Sequence, residues 1–379
     1  MLPTAYQKIL QSELSRVHYL FVVLLVGVLQ QLKDLKLESL AEALPLPILF
    51  ESRRKKLRRF LKLDFLSIEK LWLPCLKALI LDVLPPHQPI YLAIDRTNWS
   101  SINLLMVSVI YDHRALPVYW KFLNKQGSTN LAEQIEVLEV SLACFSEYNL
   151  VVLGDREFCS PKLGNYLRER GVYFCLRLKC DMNIQTEQGY QALRDFDLSP
   201  GMKLFLNDRR VTKKKQFFSF NIACKWKRTY RGFKTKEPWY ILTNLEDLER
   251  GIKAYQKRFG IEEMFRDYKR GGYNLEGSKL DCEALKKLLI IVAIAYTSAS
   301  VHGKKIKQMG LQKYVVRPES EKAQTRRHSS FYVGQHLNCH LQIHSLCQDV
   351  IAELLQINRR WLRYYKKGQR AIELALSIF

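Results

Sequence analysis

The sequence predicts an α/β protein on a mixed sheet, with helical segments before and after the sheet and a β-rich insertion within it. Three observations point there. From Gln88 the chain turns to short β-rich runs alternating with helical ones. Residues 179–238 interrupt that alternation with Lys, Arg and aromatics in stretches of period two, and residues 1–85 carry apolar residues at helical spacing. Strands alternating with helices imply a sheet covered by helices, because each strand face must be buried against something.

Composition narrows the partner. With 379 residues, 47% of them hydrophobic, and only 17 Gly and 12 Pro, the chain is long enough for two or three cores and is not a basic disordered tail. Its 60 Lys and Arg outnumber 37 Asp and Glu, a formal net charge of +23. That surplus calls for an anionic partner, a nucleic acid or an acidic membrane surface. The membrane is the weaker choice. Tyr19 to Leu29, the longest apolar run, is about half of the ~20 residues a spanning helix needs, and Leu288 to Tyr296 is shorter. Both read as buried helices. Gln7, Lys8 and Glu13 interrupt any signal-peptide pattern, and nine scattered cysteines without a CxxC pair suit reduced thiols, so the expected location is the cytoplasm.

The elements follow in order. Leu20, Val23, Leu24 and Val28 mark an apolar helix face, and Pro45 and Pro47 separate a short helix, Leu37 to Leu44, from a second one. The second carries Arg53, Arg54, Lys55, Lys56, Arg58, Arg59 and Lys62, so the pair resembles a helix-turn-helix with a basic second helix; a solvated charged face is the alternative. Strands are expected at 90–95, 104–111, 116–122, 150–154 and 172–178, with Asn130 and Glu133 capping one helix and Ser160 and Pro161 opening another that Gly171 ends. The α/β pattern resumes at Trp239 to Thr243. A long helical region then runs to Lys269, where Gly271 and Gly272 stop it, and an apolar helix follows at Leu288 to Ala299. Lys304 to Ser330 reads as a basic linker, and the remainder as one or two helices. The expected domains are 1–85, a helical DNA-binding domain; 86–303, the catalytic α/β domain with its insertion at 179–238; and 304–379.

Chemistry concentrates on acids at strand ends. Asp95 closes Tyr-Leu-Ala-Ile-Asp and Asp155 closes Leu-Val-Val-Leu-Gly-Asp. Ligands of open α/β sheets collect at the carboxyl ends of strands, so two neighbouring parallel strands would bring these carboxylates together. Like charges forced close need a cation, and oxygen-only ligands select Mg²⁺ or Mn²⁺. Either Asp alone reads equally well as a turn cap. A third acid changes the weighing. On one straight helix Tyr255, Arg258, Glu262 and Lys269 project into a stripe about 60° wide at ~100° per residue, whereas Glu263 lies about 100° away from Glu262. The stripe therefore selects Glu262, flanked by two cations and a phenol.

Further cations crowd the insertion. Arg209, Arg210, Lys213, Lys214, Lys215, Lys225, Lys227, Arg228, Arg231, Lys234 and Lys236 interleave with Trp226, Tyr230 and Phe233, a mixture suited to phosphate binding and base stacking, or to a solvated hairpin. His336, Cys339, His340, His344 and Cys347 lack paired-cysteine zinc spacing and read as a half-buried helix face.

The order Asp95, Asp155, Glu262, with Y-x2-R-x3-E-x6-K at Tyr255, Arg258, Glu262 and Lys269, resembles the DDE transposases of bacterial insertion sequences that carry the YREK signature, the IS-four type. The resemblance spans roughly residues 88–300. It implies an RNase H-like core in which Asp95, Asp155 and Glu262 hold two Mg²⁺ or Mn²⁺ ions for phosphodiester cleavage and strand transfer. Arg258, Lys269 and Tyr255 would then hold phosphates, with Trp239 stacking on a flipped base or, equally, sitting in the core. Arg53, Arg54 and Arg58 would contact the element's ends. It further implies double-stranded DNA, both transposon ends and target, as partner and a homodimer in the synaptic complex. The competing functions are an RNase H-like nuclease without strand transfer and a non-catalytic DNA-binding repressor derived from a transposase.

Overall fold

The computed structural model describes residues 2–85, 87–212, 218–228, 236–319, 327–357 and 359–378. Lys213, Lys214, Lys215, Tyr230, Arg231, Phe233 and Lys234, counted above among the basic and aromatic residues of the insertion, lie outside the described residues. The first helices are α1 (Thr4–Glu13), α2 (Arg16–Leu32), α3 (Leu37–Ala43), α4 (Phe50–Phe60) and α5 (Leu73–Val83). Then come β1 (Ile90–Trp99), β2 (Ile102–Tyr111), β3 (Arg114–Phe122), α6 (Leu131–Cys144), β4 (Leu150–Gly154), α7 (Pro161–Glu169) and β5 (Tyr173–Arg177). The insertion supplies β6 (Asn183–Thr186), β7 (Gly189–Ala192), β8 (Lys203–Arg210) and β9 (Ser219–Lys225), before β10 (Trp239–Thr243), α8 (Leu248–Lys257) and α9 (Phe259–Arg266). Last are α10 (Cys282–Gln308), α11 (Gln312–Val315), α12 (Ser330–Leu346), α13 (Gln348–Ile357) and α14 (Leu362–Leu376).

Two compact units emerge: residues 85–265, and residues 1–84 together with 266–379. The cut differs from the three-segment expectation, because α10, α2 and α12 pack on one another across long sequence separations.

In the sheet unit eight strands run in the order β3-β2-β1-β4-β5-β10-β9-β8. β1, β4 and β5 are parallel, while β2, β3 and β10 are antiparallel to their neighbours. That mixed order, a three-stranded meander followed by two parallel strands with α6 and α7 between them, is RNase H-like. The asparagine expected to cap α6 does so: Asn130 accepts from the Glu133 amide at 2.9 Å while the Glu133 carboxylate accepts from the Asn130 amide at 2.8 Å. The insertion is not a separate β-domain. Among the described residues β6 and β7 form a two-stranded hairpin of their own, whereas β9 pairs with β10 and β8 with β9, so the insertion widens the main sheet. Alternation decides it, because the buried Phe220, Ile222 and Cys224 of β9 need a helix-covered face, and Phe220 lies under Gly164 of α7.

In the helical unit α10 is the core. It runs 27 residues, three times the apolar run read from sequence, because Thr297, Ser298, Ser300 and His302 are buried within it too. Length and composition suffice to cross a membrane, but 83% of its apolar window is buried inside the protein, the pattern of a core helix. Thr297, Ser298 and Ser300 return their hydroxyls to carbonyls on their own helix, which removes the penalty of burying them. The crossing with α12 depends on glycines. A Cβ on Gly334 would sit 1.8 Å from the Ala299 carbonyl oxygen and one on Gly303 1.8 Å from that of Ser330, so neither position admits a side chain.

Gly334→Ala is therefore expected to force α10 and α12 apart, at about 1–3 kcal/mol or more. Thermal melting of the variant should show a lowered Tm; an unchanged Tm would mean that the helices do not cross this closely.

Candidate active site

β1 and β4 run parallel in a register that ends with Ile94 opposite Gly154. The residues immediately after that pair are Asp95 and Asp155, which therefore stand side by side where the β1–β4 pairing ends. β1 does not end at Asp95 as expected. It continues to Trp99 because its other edge stays bonded to β2, with Asp95 opposite Met106. Each carboxylate is tied to the backbone by one oxygen: Asp95 Oδ1 accepts from the Arg96 amide and Asp155 Oδ1 from the Glu157 amide, both at 2.8 Å. Asp155 thus caps the short helical turn Arg156–Phe158, while Asp95 lies within β1 and keeps its Oδ2 for another partner.

A half-buried ion pair supports this geometry, and sequence reading missed it. Arg96 Nε donates to both oxygens of Glu157 at 3.0 Å, and the Thr129 amide and hydroxyl donate to Glu157 at 2.8 and 2.9 Å. Arg96 follows Asp95 and Glu157 lies two residues after Asp155, so the pair clamps together the two turns that carry the acids. Burial raises the Glu157 carboxyl, but Arg96 and Thr129 outweigh it and hold the group below its ordinary value. The signal was present in Gly-Asp155-Arg-Glu-Phe as an unexplained Glu, but nothing local identified Arg96 as its partner.

The third acid arrives from α9. Gly260 allows α9 to lie against the start of β3, where a Cβ would come within 2.8 Å of the Arg114 carbonyl oxygen, and Arg114 pairs with Glu263 at 2.9 Å. Glu263 is thus an anchor on β3, whereas Glu262 pairs with Arg258 one turn back. Arg258, buried with only 4% exposed, also reaches Asp95 Oδ2 at 3.4 Å. One guanidinium thereby links the carboxylates of Asp95 and Glu262. Burial disfavours the Arg258 charge, yet Tyr255, Glu262 and Asp95 more than compensate and raise its pKa.

Asp95 shows the effect of the crowding. Its pKa is pushed up to about 7, first by burial, then by the Asp155 and Glu262 charges, against the attraction of Arg258 and the Arg96 amide. An oxygen-only set in which one acid is held partly protonated by its neighbours is chemistry that a hard divalent cation would relieve. Among the described residues, however, no three acids, histidines or cysteines gather closely enough to hold a metal ion. Glu262 is the distant member, held by Arg258 with 47% of its side chain exposed.

The straight-helix stripe is only half realised. The chain steps at Arg258, whose amide returns to the Tyr255 carbonyl at 3.0 Å, and Asp267 to Gly271 form a π-helical turn. Arg258 and Glu262 consequently face Asp95, while Tyr255 turns into the core with its hydroxyl buried. Burial raises the Tyr255 pKa against the pull of Arg258 and Arg177. Lys269 belongs to the helical unit, where it pairs with Glu276 at 3.1 Å. Trp239 occupies the core rather than an open face: it is 8% exposed and packs on Tyr255 at 5.2 Å and Phe259 at 6.0 Å, with Lys227 over its ring. On α4, Arg53 donates to the Leu44 carbonyl at 3.2 Å and Arg54 pairs with Glu51 at 3.1 Å, which leaves Lys55, Lys56, Arg58 and Arg59 as the exposed cations. His336 stacks on Tyr332 and bonds its carbonyl at 3.0 Å, so it belongs to a helix face.

Two outcomes test this arrangement. Because the folded-state pKa of Asp95 lies near 7, above its ordinary 3.8, the folded chain binds a proton that the unfolded chain releases, and stability falls as pH rises from about 4 to 7. In chelator, Asp95→Asn should melt higher than the parent at pH 8, with the gap closing toward pH 4; a gap independent of pH would contradict the raised pKa. Gly260→Ala should push α9 off β3, destabilise the chain by about 1–3 kcal/mol and displace Glu262, seen as a lower Tm and loss of activity together.

No curated protein matches the chain significantly. Among solved structures the piggyBac transposase, in a synaptic complex with hairpin DNA, is similar at 12% identity over 85% of this chain and 70% of that one, with a TM-score of 0.45. The family described as the transposase DDE domain matches residues 88–298, the stretch that holds Asp95, Asp155 and Glu262. That match covers more than half of the sequence, and the chain belongs to the DDE transposase family.

Proposed function

We propose that this enzyme is a transposase of the YREK-bearing, IS-four type of bacterial insertion sequences, which cleaves DNA at the inverted-repeat ends of its own element and joins those ends to target DNA. One observation carries the assignment of residues: the Ile94–Gly154 register sets Asp95 beside Asp155, and Arg258 links Asp95 to Glu262. DDE transposases typically use divalent metal ions. Asp95 and Asp155, with Glu262 as third ligand, would hold two Mg²⁺ or Mn²⁺ ions. Bound there, the ions would supply an activated hydroxyl nucleophile and charge neutralisation at the leaving oxygen.

The chain's own groups do the rest. Arg258 neutralises Asp95 and Glu262 in the free protein, and its planar fork suits a phosphate oxygen equally well. Transfer of the guanidinium from Glu262 to a scissile-strand phosphate frees Glu262 for the acid pair. DNA arrival and assembly of the three acids are then linked. The Arg96–Glu157 pair keeps the two Asp-bearing turns in place throughout. In this reading residues 1–85 bind the element ends through the exposed cations of α4, residues 86–303 perform the chemistry, Lys269 assists phosphate binding while the buried Tyr255 only supports the helix that carries Arg258, and two copies act together in the cytoplasm to bring two ends into one complex.

Purified protein, labelled DNA carrying the element's ends, and Mg²⁺ test the proposal. The parent should nick the end and then join it to a second duplex. Asp155→Asn and Glu262→Gln should each lower both steps by at least 10³-fold, as loss of a metal ligand or electrostatic stabiliser does, and leave DNA binding intact. Glu263→Gln should retain the chemistry. Cleavage that survives Glu262→Gln but fails in Glu263→Gln would overturn the assignment. Nicking without joining would favour a plain nuclease, and binding with no cleavage even in Mn²⁺ a repressor.

A further inference from the structure

The exposed face of α14 has no part in the site described above. Its inner face is spoken for: Ala371 and Ala375 are buried in a cluster with Ile306, Leu311, Val333, Leu337 and Leu341, and Ile372 packs against it. Opposite that face stand Arg363, Lys366, Lys367 and Arg370, all exposed or half-exposed, at the i, i+3, i+4, i+7 spacing of a single helical stripe. No ion pair links these four to a described acid, and Glu373 is the one acid in the helix. By contrast Arg54, on the basic helix α4, is paired to Glu38 and Glu51. At the start of the stripe Trp361 and Tyr364 are 47% and 64% exposed, their rings 5.6 Å apart, with the Arg360 guanidinium 5.6 Å from the indole.

We propose that the outer face of α14 is a second DNA-binding surface, which grips the phosphate backbone of a duplex independently of α4. The four cations span about 10 Å of helix at ~1.5 Å per residue. Duplex DNA presents one phosphate per ~1.7 Å of its axis, or about six over that length, so four cations held at that spacing are well matched to it. The flanking Trp361 and Tyr364 offer a stacking face for sugars or unpaired bases. A basic amphipathic helix is also how a chain lies on an acidic membrane, but that mode buries the apolar face in lipid. Here Ala371, Ile372 and Ala375 are docked on the protein's own core, and the apolar side chains left exposed, Tyr364, Tyr365, Leu374 and Leu376, are scattered around the helix instead of forming one lipid-facing stripe, whereas the cations do share a stripe, as binding to DNA requires.

The inference rests on the transposase reading, and the test separates the two. Binding of the full-length protein to a labelled duplex is measured by fluorescence anisotropy in chelator from 50 to 200 mM salt. The parent is compared with the fourfold variant Arg363→Gln, Lys366→Gln, Lys367→Gln, Arg370→Gln and with Arg58→Gln, Arg59→Gln in α4. Each phosphate that a variant no longer neutralises should flatten the plot of log affinity against log salt by about 0.9, so the α14 variant should be shallower by about 3 to 4 and weaker by more than tenfold at low salt. Its circular dichroism and Tm should match the parent, because none of the four side chains is buried. Parallel salt slopes for parent and α14 variant, with a shallower one for the α4 variant, would overturn this inference and leave the transposase reading standing. Binding to vesicles containing phosphatidylserine that the α14 variant loses, while its DNA slope is unchanged, would assign the face to a membrane and overturn it too. A parent that shows no salt-dependent DNA binding would sink both.

Discussion

The site depends on the pairing of β1 with β4. Parallel pairing with Ile94 opposite Gly154 delivers two aspartates to one place, and a slip of one residue would turn one of them to the opposite face of the sheet. The buried faces hold that register. Leu92, Ala93 and Ile94 on β1 and Val152 and Leu153 on β4 are fully buried, so both faces are covered and a slipped strand would draw an aspartate into an apolar interior. The stability of an ordinary apolar core thus enforces an electrostatically unfavourable pair.

The surrounding charges make the pair tolerable. Glu157 belongs to Arg96 and Thr129, and Glu263 to Arg114, so the nearby acids that do not face Asp95 are each neutralised by a dedicated partner. Glu262, which faces it, shares Arg258 with Asp95. With one guanidinium between Asp95 and Glu262, a buried acid is left with its pKa near neutrality, a site poised to exchange a proton or an arginine for a stronger cation. A preorganised site of this kind is strained in the resting protein, which is why removing the offending charge should stabilise the fold while ending its chemistry.

The helical unit solves a different problem. α10 buries almost every side chain along most of its length, and such a helix needs neighbours on all sides. Gly303 and Gly334 let α12 come within touching distance of its backbone, and the polar Thr297, Ser298 and Ser300 remain harmless because their hydroxyls bond within the helix. The same packing carries α14, whose small inner residues dock and whose cations are left outside.

Much of this was legible in the linear order of residues. The net charge of +23 required a polyanion, the apolar runs ending in Asp95 and Asp155 located the sheet's carboxyl ends, and the spacing of Arg258 and Glu262 placed them on one face, because period and composition are local properties. The local signal stopped where geometry became non-local. A straight-helix projection put Tyr255 beside Glu262, and a step at Arg258 turned Tyr255 into the core instead. The insertion read as a β-rich interruption of the α/β pattern and became sheet edge, because β9 satisfied its backbone hydrogen bonds on β10. Trp239 read equally as a base-stacking residue and as a core residue, and it packs in the core against Tyr255. The bond of Arg96 to Glu157, across 61 positions, and the approach of Gly260 to Arg114 have no sequence signature at all. Residue order alone settles which charges the protein carries and the period of each element. Which acid meets which cation is settled only in the folded chain, since that pairing depends on distances through space between segments far apart along the backbone.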